Sequence, residues 1–280
     1  MQLTGNTPLI PISGGLIWGK IETHNRTGSV KDRMIDYICN NAYQYKHIIP
    51  GKTKLVEATS GNTGISLASY AASVGCECTV IMPCNMSEQR KEMMRAYGAK
   101  IIETGPNAFH DAITLRDNLI KEGGYFSPMQ FSNPLNVDCH YNITAPEIYE
   151  QCIELELDWS TFVHGSGTGG TMMGIKKYID DYGLAIKTVL TQPAEANDQH
   201  GIQGINDGAD FLLDRSLMDA TIEIKTEDAI KRMKQFWQDT GILVGISSGA
   251  NILAAENYLK TFNPPGIIIT VLCDRGERYL

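Results

Sequence analysis

One lysine, Lys31, stands in HNRTGSVKDR (24–33), where a glycine-containing turn meets a helical pattern. A cation in the first turn of a helix opposes the helix dipole, so a solvated surface charge is poorly placed there. Desolvated in the same position, the amine falls in pKa and becomes a nucleophile able to form a Schiff base. The stretch by itself allows both readings.

Three further stretches carry groups that hold small anions. Ser166-Gly167-Thr168-Gly169-Gly170-Thr171 runs from an apolar stretch into a helical one. Glycines let backbone approach a ligand closely, and a helix N-terminus offers unpaired N–H donors, so the stretch suits a phosphate. A dinucleotide fold uses a similar turn, but it wants an acidic residue at the end of the next strand, and TVLTQ ends in Thr191-Gln192. A turn that serves packing alone is the third reading. Thr59-Ser60-Gly61-Asn62-Thr63-Gly64 brings hydroxyls, an amide and helix N–H groups, a set that can hold a carboxylate or simply cap a helix. Gly245-Ile246-Ser247-Ser248-Gly249 brings two more hydroxyls to a helix start.

The elements that must position these residues follow from periodicity. Short β-branched or apolar runs predict strands at 55–59, 78–83, 100–104, 161–165, 188–192, 220–224 and 267–273. Between them, 87–98, 108–124 and 226–241 carry apolar residues at helical spacing, with Ser87 and Thr226 as N-caps and Gly98 and Gly241 as stops. Alternation of this kind implies mostly parallel sheets with helices on both faces. LIPI and LIWGKIE around Ser13-Gly14-Gly15 predict an N-terminal hairpin, and the Ser/Asn/Pro cluster FSNPLN (131–136) predicts a domain boundary. In open parallel sheets ligands bind beyond the C-terminal ends of the strands, which is where these loops fall.

Composition excludes several other classes. With 24 basic against 32 acidic side chains the net charge is −8, which argues against a nucleic-acid partner. No run approaches the roughly 18 apolar residues of a membrane span, and MQLTGNTPLI lacks a secretion pattern, so no membrane partner and a cytoplasmic location are expected. Seven cysteines (39, 76, 78, 84, 139, 152, 273) are an odd, scattered set, expected to be buried structural thiols rather than disulfides or metal ligands.

Taken together, GNTPL (5–9), GSVKDR (28–33), EATSGNTG (57–64), GTGGT (167–171) and GISSGA (245–250) resemble, in order, the cysteine synthase (O-acetylserine sulfhydrylase) family of pyridoxal-phosphate enzymes. The stretches 82–100, 130–148 and 273–280 look most like its B-type branch. The resemblance implies an α/β fold of two domains, each a mostly parallel twisted sheet flanked by helices, of the tryptophan-synthase β-like, fold type II kind. The implied divisions are a hairpin (1–28) packed on the C-terminal domain, a smaller mobile domain (29–136), and a larger domain binding the cofactor phosphate (137–280).

It also implies roles. Lys31 would carry pyridoxal phosphate as an internal aldimine and then remove the substrate α-proton. Asn62 would bond the ring hydroxyl, Ser247 the pyridine nitrogen, and Gly167, Thr168, Gly169, Gly170 and Thr171 the phosphate. Thr59, Ser60, Asn62, Thr63 and Gln130 would receive the substrate carboxylate, with Gly204 lining the substrate side. No metal is implied. The implied reaction replaces the acetate of O-acetyl-L-serine by sulfide, through an α-aminoacrylate, to give L-cysteine. Cystathionine β-synthase, S-sulfocysteine synthase and serine dehydratase chemistry use similar loops, and a non-catalytic regulatory relative is the alternative from another class. A homodimer is implied by the family. Some members capture the tail of serine acetyltransferase and B-type members generally do not, and the motifs leave that open.

Three features depart from the family pattern. Arg26 stands where the family usually has proline or a small residue, close to Lys31; it either faces solvent, the favoured reading, or adds positive charge near an anionic substrate. The loop GSGTGGT looks A-type, and Gln203 stands where B-type members offer arginine, which puts thiosulfate use in question. The chain stops at Leu280, just after CDRGERYL, where relatives continue, so a looser dimer or site entrance is expected.

Overall fold

The structure is a computed structural model and describes residues 3–59, 61–196, 201–202, 204–205 and 210–280. It divides into two compact units, one of residues 1–30 with 134–280 and one of 31–133. Those divisions fall at 30/31 and 133/134, against 28/29 and 136/137 in the sequence reading.

The first unit opens with the hairpin β1 (Leu9–Ser13) and β2 (Ile17–Ile21), paired antiparallel with Leu9 opposite Lys20. The second unit begins with α1 (Lys31–Gln44) and continues β3 (Lys54–Ala58), α2 (Asn62–Val74), β4 (Cys78–Pro83), α3 (Glu88–Ala96), β5 (Lys100–Thr104), α4 (Phe109–Glu122) and β6 (Tyr125–Phe126). Its strands pair in the order β5-β4-β3-β6, all parallel. Val56, Ala58 and Ile81 face α4, where Ala112 is fully buried. On α2, a side chain at Gly64 would press on Met94 and Val80. Here glycine is required by close packing rather than by backbone angle.

The chain then returns to the first unit with α5 (Leu135–Cys139), a π-helical turn (140–144), α6 (Ala145–Glu154), β7 (Trp159–Gly165), α7 (Gly170–Asp181), β8 (Lys187–Pro193), β9 (Ala220–Ile224), α8 (Thr226–Thr240), α9 (Ile246–Phe262) and β10 (Ile267–Leu272). The sheet order among the described residues is β1-β2-β10-β7-β8-β9, parallel from β2 onward. Successive strand residues serve opposite layers. Phe162, Leu190 and Ile269 pack with Ile148, Ile175 and Ile179, whereas their neighbours Val163, Val189 and Ile268 pack with Ala250, Ala254 and Ala255 of α9. Strands covered on both faces need no polar alternation, which is why β7 and β10 read as continuous buried runs.

The expected strands and the hairpin are present, and a helix, α5, begins at Leu135 within the Ser/Asn/Pro cluster expected to mark a boundary. Ser87 is the N-cap residue of α3, yet its hydroxyl donates to Gln89 instead of capping backbone. Thr226 is a correction: Lys225 is the N-cap of α8, and the Thr226 hydroxyl, inside the first turn, accepts from the Gly201 N–H at 3.0 Å. Gly241 ends α8 in the left-handed region as expected, at φ 71°. Among the described residues no helix is long and apolar enough to cross a membrane. All seven cysteines are unbridged, but only Cys39, Cys78, Cys139 and Cys152 are buried; Cys84 is exposed, against expectation. Burial pushes the Cys78 and Cys152 thiols up to about 12.

Candidate active site

In the first unit, β7 delivers Gly165 and Ser166 to the mouth of the glycine loop. Gly165 N–H leaves the ladder and donates to Asn251 Oδ1 at 2.8 Å, while Asn251 Nδ2 donates to Val271 O at 2.9 Å. One amide on α9 thus ties the ends of two strands. Gly169, the N-cap of α7, has φ 93°, and a Cβ there would strike the backbone of Leu212 and Leu213. A Cβ at Gly167 would meet the Gly204 carbonyl at 2.5 Å, and one at Gly170 would collide with the Asn136 side chain. Asn136 Nδ2 donates to Thr168 Oγ1 at 3.0 Å, which fixes the loop from below. Thr171 Oγ1 lies 3.2 Å from His140 Nε2, and His140 Nδ1 lies 2.8 Å from Thr144 Oγ1, inside the π-helical turn.

The first N–H groups of an α-helix have no partners within the helix, and here the Gly170 N–H donates to the Thr168 hydroxyl at 3.4 Å. Ser166 adds a buried hydroxyl, and neither it nor the Thr191 hydroxyl on the paired strand has a hydrogen-bond partner among the described residues. Both line a cavity of about 350 Å³ at the C-terminal ends of β7 and β8, beside Glu195, Asp210, Arg215 and Glu223; residues 167–171 do not line it, and its three carboxylates do not suit an anion. The glycine loop itself, where Gly167, Gly169 and Gly170 admit no Cβ at the N-terminus of α7 and the buried Ser166 hydroxyl stands beside them, fits a phosphate group. Ser247 stands buried in the first turn of α9, and the space a Cβ at Gly204 would take lies 4.0 Å from the Ser247 hydroxyl. The structure brings these two predicted residues together. Gly204 takes φ 90°, a conformation that favours glycine.

The turn before Lys31 is laced to the end of the chain. Asn25 Nδ2 donates to Glu22 Oε2 at 2.5 Å and to Ser29 O at 3.1 Å, and Asn25 Oδ1 accepts from Gly5 N–H at 2.9 Å. Val30 N–H donates to Cys273 O at 2.9 Å, Arg275 Nε to Thr23 O at 3.0 Å, and Arg278 to Thr27 O. Gly28, at φ 88°, lies under the Arg275 side chain, where a Cβ has no room. Arg26 is half-buried.

In the second unit Lys31 is the first residue of α1 and is half-buried. Asn62 opens α2 after Gly61, and Thr59 is buried at the end of β3, its hydroxyl accepting from Gly61 N–H at 3.3 Å. Thr63 Oγ1 donates to Gln130 Oε1 at 2.7 Å, so two predicted carboxylate ligands 67 residues apart meet. Ser60 and Gln203 lie outside the described residues. Beneath this pair is Glu57, which sequence reasoning passed over. It is fully buried, 3.0 Å from the Arg116 guanidinium. Burial pushes its carboxyl above the ordinary range, while Arg116 works in the opposite sense. A lone acid inside EATSGNTG carries no spacing signal; only a charge in an otherwise apolar strand hinted at it.

A family model described as "Pyridoxal-phosphate dependent enzyme" matches residues 1–274. The chain is 36% identical to a cysteine synthase of Staphylococcus aureus, over all of this chain and 94% of that protein. It is also 36% identical to cysteine synthase B of Escherichia coli, over all of this chain and 93% of that one. Among solved structures, an O-acetyl serine sulfhydrylase isoform 3 from Entamoeba histolytica matches with a TM-score of 0.89 and 34% identity, over 99% of this chain and 88% of that one. A hydrogen sulfide-producing enzyme from Fusobacterium nucleatum matches with a TM-score of 0.89 and 35% identity, over 99% and 98%.

Proposed function

The chain belongs to the pyridoxal-phosphate-dependent enzyme family, and on that premise we propose that it is a cysteine synthase, replacing the acetate of O-acetyl-L-serine by sulfide to give L-cysteine. The observation that carries the amino-acid substrate is the Thr63–Gln130 pair, which joins the glycine loop after β3 to the segment after β6 in one carboxylate-sized group. A hydroxyl and a side-chain amide held together in this way are groups that hydrogen-bond a carboxylate.

Bound pyridoxal phosphate supplies an electron sink, which acidifies the substrate α-carbon and lets the β-acetoxy group leave. Every other step falls to the chain. Lys31 would hold the cofactor through its amine, and the same amine, once free, would accept the substrate α-proton. Gly167 to Thr171 hold the phosphate with backbone N–H groups and the Thr168 and Thr171 hydroxyls, and the Ser166 hydroxyl joins them. Asn62 would bond the ring hydroxyl. Ser247 would bond the pyridine nitrogen, and a hydroxyl there would not force that nitrogen to stay protonated as an aspartate would. Thr59, Ser60, Asn62, Thr63 and Gln130 orient the substrate through its carboxylate, so that the α-proton is presented to Lys31. Gly204 lines the substrate side, where a side chain would crowd it. We also take the unit of 31–133 to be the part that moves on substrate binding, and the protein to act as a cytoplasmic homodimer. Unbridged cysteines suit a reducing compartment.

The likeness to a hydrogen sulfide-producing enzyme favours a second reading, in which the same proton removal from L-cysteine releases sulfide. One absorbance experiment tests the site. The visible band of the holoenzyme should shift on adding O-acetyl-L-serine and return on adding sulfide. Protein that stays colourless after incubation with pyridoxal phosphate contradicts the account.

A further inference from the structure

A buried carboxylate gathers both ends of loop 127–130, whose middle is held by Asn133 Nδ2 donating to Pro128 O at 2.9 Å. Glu57 Oε2 accepts from the Gln130 N–H and from Ser127 Oγ, each at 3.3 Å. Glu57 Oε1 accepts from Ala58 N–H at 3.0 Å and from Arg116 Nη1 at 3.0 Å. Ser127 Oγ in turn accepts from Met129 N–H at 3.3 Å, and Met129 sits at φ 54°, a conformation non-glycine residues seldom adopt. An unfavourable backbone angle persists only where its surroundings over-determine it; here Glu57 acts through Ser127 on the Met129 N–H, and the Ser132 and Asn133 N–H groups donate to the Met129 carbonyl at 3.0 and 2.9 Å.

Arg116 on α4 is itself held by Asp117, with Nε and Nη2 donating to Oδ1 at 2.9 and 2.7 Å. The relay therefore runs from Asp117 through Arg116 to Glu57, then through the Gln130 backbone to its side chain, which accepts from Thr63 at 2.7 Å. Glu57, Arg116 and Gln130 are all at least nine-tenths buried, so these bonds face little competition from water. A buried ion pair is a poor source of net stability, because desolvation offsets its attraction. Its directional bonds are what distinguish it from an apolar replacement.

We propose that Glu57, clamped by Arg116, is a positioning residue for substrate recognition: it fixes the loop from which Gln130 presents its amide to the substrate carboxylate. The inference rests on the reading that Thr63 and Gln130 receive that carboxylate. Glu57 touches neither substrate nor cofactor and acts only through Gln130.

The test compares how holoenzyme variants bind L-serine and L-serine methyl ester, followed by the visible absorbance of the cofactor. The pair differs in whether a carboxylate is present. Gln130→Ala should reduce the preference for the free acid about tenfold or more, the size expected when a hydrogen bond to a charged group is lost. Glu57→Gln should reduce it comparably, with KM for O-acetyl-L-serine raised in proportion and kcat within about twofold. The double variant should be no worse than Gln130→Ala alone, because both changes break one connection. Ser127→Ala, which leaves the ion pair intact, should give a smaller loss in the same direction and decides the matter if Glu57→Gln does not fold. Unchanged discrimination in Glu57→Gln or, failing that, in Ser127→Ala overturns the proposal. So does a loss of affinity equal for acid and ester, the mark of a merely structural role. Wild-type discrimination in Gln130→Ala overturns the carboxylate site itself, whereas an impaired Gln130→Ala beside an unaffected Glu57→Gln overturns only the positioning.

Discussion

Lys31 begins α1, and its half-burial removes the reading of a fully solvated surface charge that the sequence left open. Reduction of the holoenzyme with borohydride, followed by peptide mapping, should place the cofactor label on Lys31. Lys31→Ala should fold, lose the label and lose turnover; a label on another lysine contradicts its role. Gly169 is the residue whose conformation the phosphate loop most needs. Gly169→Ala forces a side chain into the left-handed region at a cost of about 1–2 kcal/mol, and the new Cβ meets the Leu212–Leu213 backbone. Weaker cofactor binding, measured by fluorescence titration of apoprotein, is the expected result. Lysine and glycine at element junctions were legible because each is out of place in the local pattern. Glu57, Asn136 and Asn251 were not, because a single polar residue inside a strand or helix shows its purpose only through partners far away in sequence. Arg116, for example, lies 59 residues beyond Glu57.

At the scale of elements, the N-terminal hairpin is tied down by a charge that periodicity hides. Lys20 on β2 is fully buried, its amine donating to Thr7 O at 2.6 Å and Gln151 Oε1 at 2.7 Å and pairing with Glu147 Oε1 at 2.5 Å. Both acceptor side chains come from α6, so the hairpin and that helix stand or fall together. Lys20→Ala should cost about 3–5 kcal/mol, the range for breaking one side of a buried pair. Urea unfolding measures it, and a change below about 1 kcal/mol, the scale of an exposed ion pair, contradicts the assignment. Strand positions were readable because runs such as IIITVL, covered on both faces, leave β-branched and apolar residues unbroken. Helix starts were less so. Thr226 has the chemistry of a cap, but its hydroxyl accepts from Gly201 instead, a partner 25 residues back that no local rule includes.

In each unit a mostly parallel sheet carries the loops proposed to hold ligands beyond its strand ends, the four-stranded one leading into α2 and the six-stranded one into the glycine loop before α7. The fold class was legible because strand and helix periods alternate along the chain. The order β1-β2-β10-β7-β8-β9 was not, because β10 slots between β2 and β7 through contacts some 250 and 100 residues apart in sequence, which periodicity does not encode. The central claim is that this assembly replaces acetate by sulfide at the substrate β-carbon. The measurement that meets it most directly is the product balance when purified holoenzyme is given O-acetyl-L-serine and sulfide. The account predicts one L-cysteine for each acetate released, and neither product above background with Lys31→Ala. Acetate released with pyruvate and ammonia in place of cysteine, or no acetate at all, would contradict it.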